Sequence, residues 1–364
     1  MYTAARLLNS PPEKPLPRDW PDPAMPTAFI LIVNYRTGPL VADCLASLIS
    51  ELSALQGGRV IVVDNASGDD SVAQISAAID GRGWGGWAEL IPLPRNGGFA
   101  YGNNRALERV RALDPAFGAV VCLNPDTIVR PGALAALLGH FDADGRAGVV
   151  GARIEDEGGV RQRSGHPFPS PLGELERAAR LGVLSRVIAP GEPLAPNGGE
   201  PCRYDWVSGA CFAVRRQVFD QIGWFDEGYF LYFEETDFCL RAQRAGWSCS
   251  IVPQAEVVHF EGASTGINLP ASRRPAYWYA SRRRFFLKAY GMAGLVAADL
   301  LWAVGRCSLL LRRVLGLGGR QGQASEPQRV FRDLVVGDFR ALMKGEWFRV
   351  RVRSQRATVP GEAP

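Results

Sequence analysis

The residues best suited to chemistry stand in short polar clusters, each directly after an apolar run. Four follow one another along the first third of the chain: Asn34-Tyr35, Asp64-Asn65-Ala66-Ser67, Asn96-Gly97-Gly98-Phe99 and Asn124-Pro125-Asp126. Any one of them would serve as a turn or a helix cap. Four in succession point to a ligand, and Gly97, Gly98 and Gly102, with Asn103 and Asn104 behind them, would let it approach backbone and free amide groups. A fifth cluster, Glu234-Glu235-Thr236-Asp237, opens a helical pattern and follows Phe230, Leu231, Tyr232 and Phe233. Acids in a first turn complement the helix dipole. That alone does not call for an apolar wall, which desolvates a carboxylate and raises its basicity, as a proton acceptor requires. Positions 234, 237 and 241 share a helical face, so Asp237 and Arg241 read as a supporting pair and Glu235 as the free acid. His259, one of three histidines, lies in a short strand-like run.

These clusters need a scaffold that gathers strand ends. Runs at 28–33, 59–63, 88–93 and 119–123 read as short buried strands, and the patterns at 40–55, 71–79, 99–113 and 132–141 as helices. The alternation predicts an α/β fold: a doubly wound, mainly parallel sheet with helices on both faces. Ligands of such sheets bind beyond the carboxyl ends of the strands, where strand order reverses. From 152 to 204 the composition shifts to Gly, Pro and Arg around one helical stretch at 172–184, which reads as an insertion or substrate loop. Regular patterning resumes with a strand at 206–214, helices at 217–222 and 234–245, and strands at 249–252 and 257–260. The chain then divides into a flexible arm at 1–27, a catalytic domain at 28–275, an apolar and basic helical region at 276–320 and a tail at 321–364.

Composition narrows the class. The 364 residues are 47% hydrophobic and 21% charged, an ordinary globular balance, and a net charge of +4 gives no reason to expect nucleic-acid binding. The seven cysteines include no C-x-x-C pair and signal neither zinc nor a disulfide framework. The spacing of Gly97, Gly98 and Gly102 misses G-x-G-x-x-G and follows the third strand, which counts against a nicotinamide or flavin enzyme. The first residues show no apolar run behind a basic start, so a cytoplasmic protein is expected.

In order, the stretches ILIVNYR, VIVVDNASGDDS, LPRNGGFAYGNN, CLNPDTIV, DWVSGACFAVRR, FDEGYFLYFEETDFCLRAQRAGW and VVHFEGAST make the chain resemble the family 2 glycosyltransferases of GT-A fold. The resemblance covers roughly residues 28–290 and is greatest to rhamnosyltransferase-like members that act in bacterial cell-surface polysaccharide assembly. It implies an inverting, metal-dependent enzyme using a nucleotide-diphospho sugar, with dTDP-L-rhamnose as the first expectation and a saccharide or polyprenyl-linked saccharide as acceptor. It assigns Asp64 to the nucleoside and gathers Asn34, Asn96, Gly98, Asn104, Asn124, Trp206 and Gly209 around the donor. Trp206 and the Gly209-Ala210 step are expected to form the floor beneath the transferred sugar. Asn124-Pro125-Asp126 stands in the place of the family's D-x-D, so Asp126, joined by His259, is the expected ligand of Mg²⁺ or Mn²⁺, with one formal charge fewer than two acids would supply. The family's E-D-x-D places the base at its second acid, here Glu235, with Asp237 as the second catalytic candidate.

Two other classes compete. A sugar-phosphate nucleotidyltransferase would share the architecture, but it wants a Gly-rich loop and a catalytic Lys or Arg after the first strand, where this chain has Asn34-Tyr35-Arg36-Thr37-Gly38. A non-catalytic sugar-binding scaffold has no use for Asp126, Glu235 and Asp237 together. Between 285 and 317, Lys288, Asp299, Arg306, Arg312 and Arg313 interrupt every apolar span of about 20 residues. Peripheral contact with the inner face of the cytoplasmic membrane is therefore expected there, with packing on the catalytic domain or in a homodimer as the alternative.

Overall fold

The computed structural model describes residues 27–180, 200–260, 273–315 and 329–345. The expected arm apart from residue 27, the middle of the insertion at 181–199, and the tail apart from 329–345 lie outside the described residues. So does the end of the VVHFEGAST stretch.

The strands are β1 (Ala28–Asn34), β2 (Val60–Asp64), β3 (Ala88–Pro92), β4 (Ala119–Leu123), β5 (Thr127–Val129), β6 (Ala147–Glu155), β7 (Gly165–His166), β8 (Cys202–Tyr204), β9 (Trp206–Val207), β10 (Cys211–Arg215) and β11 (Ser248–His259). The helices are α1 (Gly38–Ser47), α2 (Ser71–Gly81), α3 (Phe99–Leu113), α4 (Ala133–Ala143), α5 (Pro171–Ala179), α6 (Arg216–Ile222), α7 (Glu234–Arg244), α8 (Ala276–Val314) and α9 (Gly337–Met343). Along β1, side chains alternate between faces. Ile30 and Ile32 join the core layer under α1, α2 and α4, whereas Phe29, Leu31 and Val33 join the layer under α3, α6 and α7.

The main sheet runs β3-β2-β1-β4-β10-β6-β11-β5, with β8 beside β11. β1 to β4 are parallel, β10 lies antiparallel between β4 and β6, and β11 is again parallel to β6. The chain builds outward from β1 to β3 and returns through α3 to add β4 on the other side of β1. That reversal opens a crevice beyond the carboxyl ends of β1 and β4. Because β10 is reversed, its amino end reaches the same edge as the carboxyl ends of β2, β4 and β11. Asn34, Asp64, Asn124, Gly209 and His259 therefore share one edge of the sheet.

Several boundaries differ from the sequence reading. The helix expected over 40–55 ends at Ser47, and the following turn, Ile49–Leu55, bends 66° away. The bend carries Glu51 inward, where its carboxylate accepts from the Gly132 and Leu134 amides and caps α4. The insertion begins later than 152, because β6 continues through Glu155 inside the sheet. The strand expected over 206–214 is two, separated where the Ser208 amide donates to the Ser164 carbonyl. The two strands expected at 249–252 and 257–260 are one, irregular between Val252 and Glu256. The helix expected over 172–184 is α5, capped by Ser170 Oγ accepting from the Gly173 amide.

By length and composition α8 would cross a membrane, but Gly291, at φ 70° and ψ −169°, breaks it. Arg282 reaches Asp299, 17 positions on, at 2.9 Å. In a straight helix those residues would stand about 25 Å apart, so the chain turns back at Gly291. Arg282 is fully buried among Asp299, Asp338 and Glu174. Crowding three carboxylates out of water around one guanidinium pushes Asp299 up to about 7, burial being the main cause.

Candidate active site

The two loops at β1 and β2 are locked together from within. Asn34 is fully buried; its amide donates to Asp64 Oδ1 at 2.7 Å and Ser67 Oγ at 3.2 Å, and its Oδ1 accepts from the Thr37 amide and hydroxyl. The Asn34 side-chain amide is thus engaged within the protein and holds Asp64 in place. Asp64 takes the Ser67 hydroxyl on Oδ1 and the Ser67 amide on Oδ2. Oδ2 thereby retains room for a second donor at the sheet edge.

The glycine loop is held by bonds within the protein. The Gly97 amide donates to Asn65 Oδ1, the Gly98 amide to Asn96 Oδ1, and the Phe99 amide to the Phe230 carbonyl. None of these three amides is left for a ligand. Gly98, at φ +90°, is required because a Cβ there would stand 2.0 Å from the Phe230 carbonyl oxygen. Its absent side chain admits the Phe230 backbone. Asn96 orders the loop, its Oδ1 also accepting from Asn65 Nδ2. Asn104 is buried and bonded to Phe225 N, Phe225 O and Glu227 Oε1, stapling α3 to the loop before Glu235.

At the other side of the crevice, His259 Nε2 lies 3.3 Å from both Asp126 Oδ1 and Asn124 Nδ2. Turning the Asn124 amide would present its oxygen to the same point. One carboxylate, one amide and one imidazole fit a divalent cation that completes its shell with waters and donor phosphates. Among the described residues no group of three His, Cys, Asp or Glu side chains forms a closed metal cage.

Asn124 donates its backbone amide to the Ala210 carbonyl, and Gly209 faces the Glu235 carboxylate, 3.8 Å from where a Cβ would stand. The Gly209-Ala210 step thus joins Asn124 to Glu235. Glu235 Oε2 is buried without a hydrogen-bond partner, and burial pushes its carboxyl up to about 7. Glu234 lies deeper and is raised further, by burial first and then by the Glu235 charge. Asp237, by contrast, is spoken for: Arg241 Nε at 2.8 Å, Lys288 Nζ at 2.6 Å and the Tyr229 hydroxyl at 3.3 Å. The Asp237–Arg241 pair read from helical spacing is present, and Lys288 joins it from 51 positions further along the chain.

Tyr232 and Phe233 precede these acids with φ of 70° and 69°, conformations that bulky residues rarely adopt. Ser281 Oγ donates to the Leu231 carbonyl, Phe233 packs edge-on to Trp278, and Tyr232 stacks near Tyr277. Asp226 binds Arg284 and Lys288, which together hold its carboxyl well below the usual range. The helical lobe therefore clamps the strained loop that delivers Glu235. Sequence reasoning missed Asp226, Ser281, Arg284 and Lys288, and only the apolar break at Lys288 could have signalled one of them. Trp206 lies in the small β7–β9 sheet, stacked on His166 at 4.3 Å and bonded through Nε1 to the Pro167 carbonyl. One of its faces is thus covered by protein.

A family model described as Glycosyl transferase family 2 matches residues 29–223. An N-acetylglucosaminyl-diphospho-decaprenol L-rhamnosyltransferase of Mycobacterium tuberculosis is 31% identical over 78% of this chain and 90% of its own length. The dTDP-rhamnosyl transferase RfbF of Shigella flexneri is 25% identical over 71% of this chain and 79% of its own. Among solved structures, GalNAc-T7 with UDP, GalNAc and Mn²⁺ aligns with a TM-score of 0.54 at 15% identity, covering 88% of this chain and 58% of that one. The Pyrobaculum calidifontis mannosyltransferase PcManGT, in complex with GDP-Man and Mn²⁺, aligns at 0.50 and 14% identity, covering 92% and 83%.

Proposed function

This chain belongs to glycosyl transferase family 2, with the GT-A fold and a role in sugar transfer, and we propose that it is an inverting transferase passing L-rhamnose from dTDP-rhamnose to a diphosphate-linked lipid saccharide. The observation that carries the mechanism is the division of labour within α7. Asp237 is paired with Arg241 and Lys288, while Glu235 has its Oε2 buried without a hydrogen-bond partner and faces Gly209. Glu234 Oε2 is also buried without a partner, but only Glu235 stands at the Gly209 step, where it serves as the base for one displacement with inversion.

In this reading Asp64 binds the nucleoside, and the donor sugar lies over Gly209-Ala210. Asp126 and His259, with Asn124, would hold Mg²⁺ or Mn²⁺, which would neutralise the charge of the leaving diphosphate. Glu235 accepts the proton of the acceptor hydroxyl as its oxygen bonds to the anomeric carbon and the bond to the diphosphate breaks, releasing the nucleotide. The acceptor class rests on the name of the M. tuberculosis relative and on the exposed apolar face of α8. Such an acceptor would put the enzyme at the inner face of the cytoplasmic membrane.

A panel of nucleotide sugars, incubated with purified protein and Mn²⁺, tests the donor and the cation site together. Hydrolysis of dTDP-rhamnose above the others, lost in Asp126→Ala and in His259→Ala, is expected. Equal turnover by Asp126→Ala at saturating metal removes that carboxylate from the site.

A further inference from the structure

A second charged site lies in the helical lobe, away from the crevice. A cavity of 560 Å³ opens at the amino end of α8 and is lined by six cationic side chains and one carboxylate, Asp333. Asp333 is taken by Arg273 in a two-pronged pair at 2.6 Å, and Arg283 pairs with Asp338. Arg274, Arg332, Arg340 and Lys344 have no carboxylate within ion-pair distance among the described residues. Cations gathered around one hollow favour an anion of multiple charge. Arg274 also lies over the Trp278 ring at 4.1 Å, and burial, then the Arg177 charge, draws its guanidinium below its usual range.

Two further features say what kind of anion fits. Phe331, Phe339 and Met343, next in sequence to the cavity-lining Arg332, Arg340 and Lys344, are exposed, so the same segment also carries apolar surface. Ala276 lines the cavity, and its neighbour Tyr277 packs on Phe230 and Tyr232 of the segment that delivers Glu235. A ligand carrying a diphosphate and a hydrocarbon chain meets both chemistries, with its sugar directed toward the acid.

We propose that this cavity seats the diphosphate of the acceptor, leaving the donor diphosphate to the Asp126 side of the crevice. The proposal rests on the reading of the acceptor as diphosphate-linked. Arginines suit the task because each presents a fork of donors to phosphate oxygens.

The test is calorimetric titration of inorganic pyrophosphate into the full chain with a chelator present. Wild type and Asp126→Ala are expected to bind alike, and Arg274→Gln/Arg340→Gln at least tenfold more weakly. The double variant is further expected to raise KM for a diphosphate-linked lipid acceptor at least tenfold while leaving donor hydrolysis unchanged. Should it fail to fold by circular dichroism, Lys344→Gln at the exposed end of α9 is titrated in its place, with a threefold or greater weakening expected. Unchanged pyrophosphate affinity in the cavity variants overturns the proposal, as does its loss in Asp126→Ala. Phosphatidylglycerol vesicles form a separate arm. If they alone lose affinity, the cavity holds bilayer headgroups and the acceptor assignment falls. Should the chain hydrolyse no nucleotide sugar, the donor reading fails, whereas the pyrophosphate titration tests the cavity independently of it.

Discussion

At the scale of single residues, Glu235 and Asp237 illustrate how two acids in one helical turn acquire different chemistry. Asp237 is paired with Arg241 and Lys288; Glu235 has its carboxyl raised to about 7 by burial. Glu235→Gln is expected to lower transfer by ~10²–10⁴ with donor affinity nearly unchanged, measured by steady-state rates and by nucleotide binding. Transfer by the wild type should rise with pH through about 7, where Glu235 gives up its proton; a rate that falls over that range excludes it as the base. The same shift affects stability. A folded carboxyl raised above its unfolded value binds more protons than the unfolded chain, so its burial costs nothing below the unfolded value and destabilises increasingly as pH rises to the folded one. Glu235→Gln should accordingly raise the melting temperature at pH 8 and leave it unchanged near pH 4.5. Asp237→Asn should do the opposite at pH 8, because it leaves Lys288 and Arg241 without their buried partner, a loss of about 3–5 kcal/mol. A melting temperature for Asp237→Asn equal to wild type would mean that those cations find other partners.

At the scale of elements, the loop before α7 is shaped by contacts from both ends of the chain. Gly98 admits Phe230 from below, while Ser281, Trp278 and Arg284 hold the same loop from α8. Two consecutive left-handed aromatic residues cost roughly 1–3 kcal/mol each, and they persist because both sides are packed. Gly98→Ala introduces a strained φ and a clash with backbone, which cannot give as a side-chain tip can. We expect it to lose at least about 2 kcal/mol in chemical denaturation and to depress transfer more than donor binding. Full stability in Gly98→Ala would show that the loop can shift without Glu235.

For the molecule as a whole, the second half of α8 is apolar on two sides. Leu295, Ala298, Trp302 and Leu309 face the lobe, whereas Val296, Leu300, Val304 and Leu311 recur at helical spacing on the solvent side, the last three about 60% exposed. Arg312 turns toward the lobe, donating to the Ala179 carbonyl of α5. An exposed apolar stripe of this kind matches a bilayer surface. Leu300→Ser/Val304→Ser/Leu311→Ser is expected to reduce sedimentation with phosphatidylglycerol vesicles severalfold, leaving the fold and donor hydrolysis intact. Wild-type binding should weaken with added salt. Equal sedimentation of both proteins would leave the face to some other neighbour.

The residues and their order already specified the sheet, because short apolar runs alternating with helical patterns admit few packings, and they specified the edge on which Asp64, Asp126 and His259 meet. The Asp237–Arg241 pair was legible too, since helical spacing is local. What the order of residues left undecided is which polar group faces inward. Asn34, Asn104 and the amides of 97–99 look the same in sequence whether they bond a ligand or another loop, and only the three-dimensional packing hands them to Asp64, Phe225 and Phe230. Likewise Lys288 reads as an interruption in an apolar segment until the turn at Gly291 and the packing of α8 bring it to Asp226 and Asp237. Local pattern fixes which face of an element is apolar; which distant charges neutralise one another depends on long-range packing, and that decides which acid stays free to act.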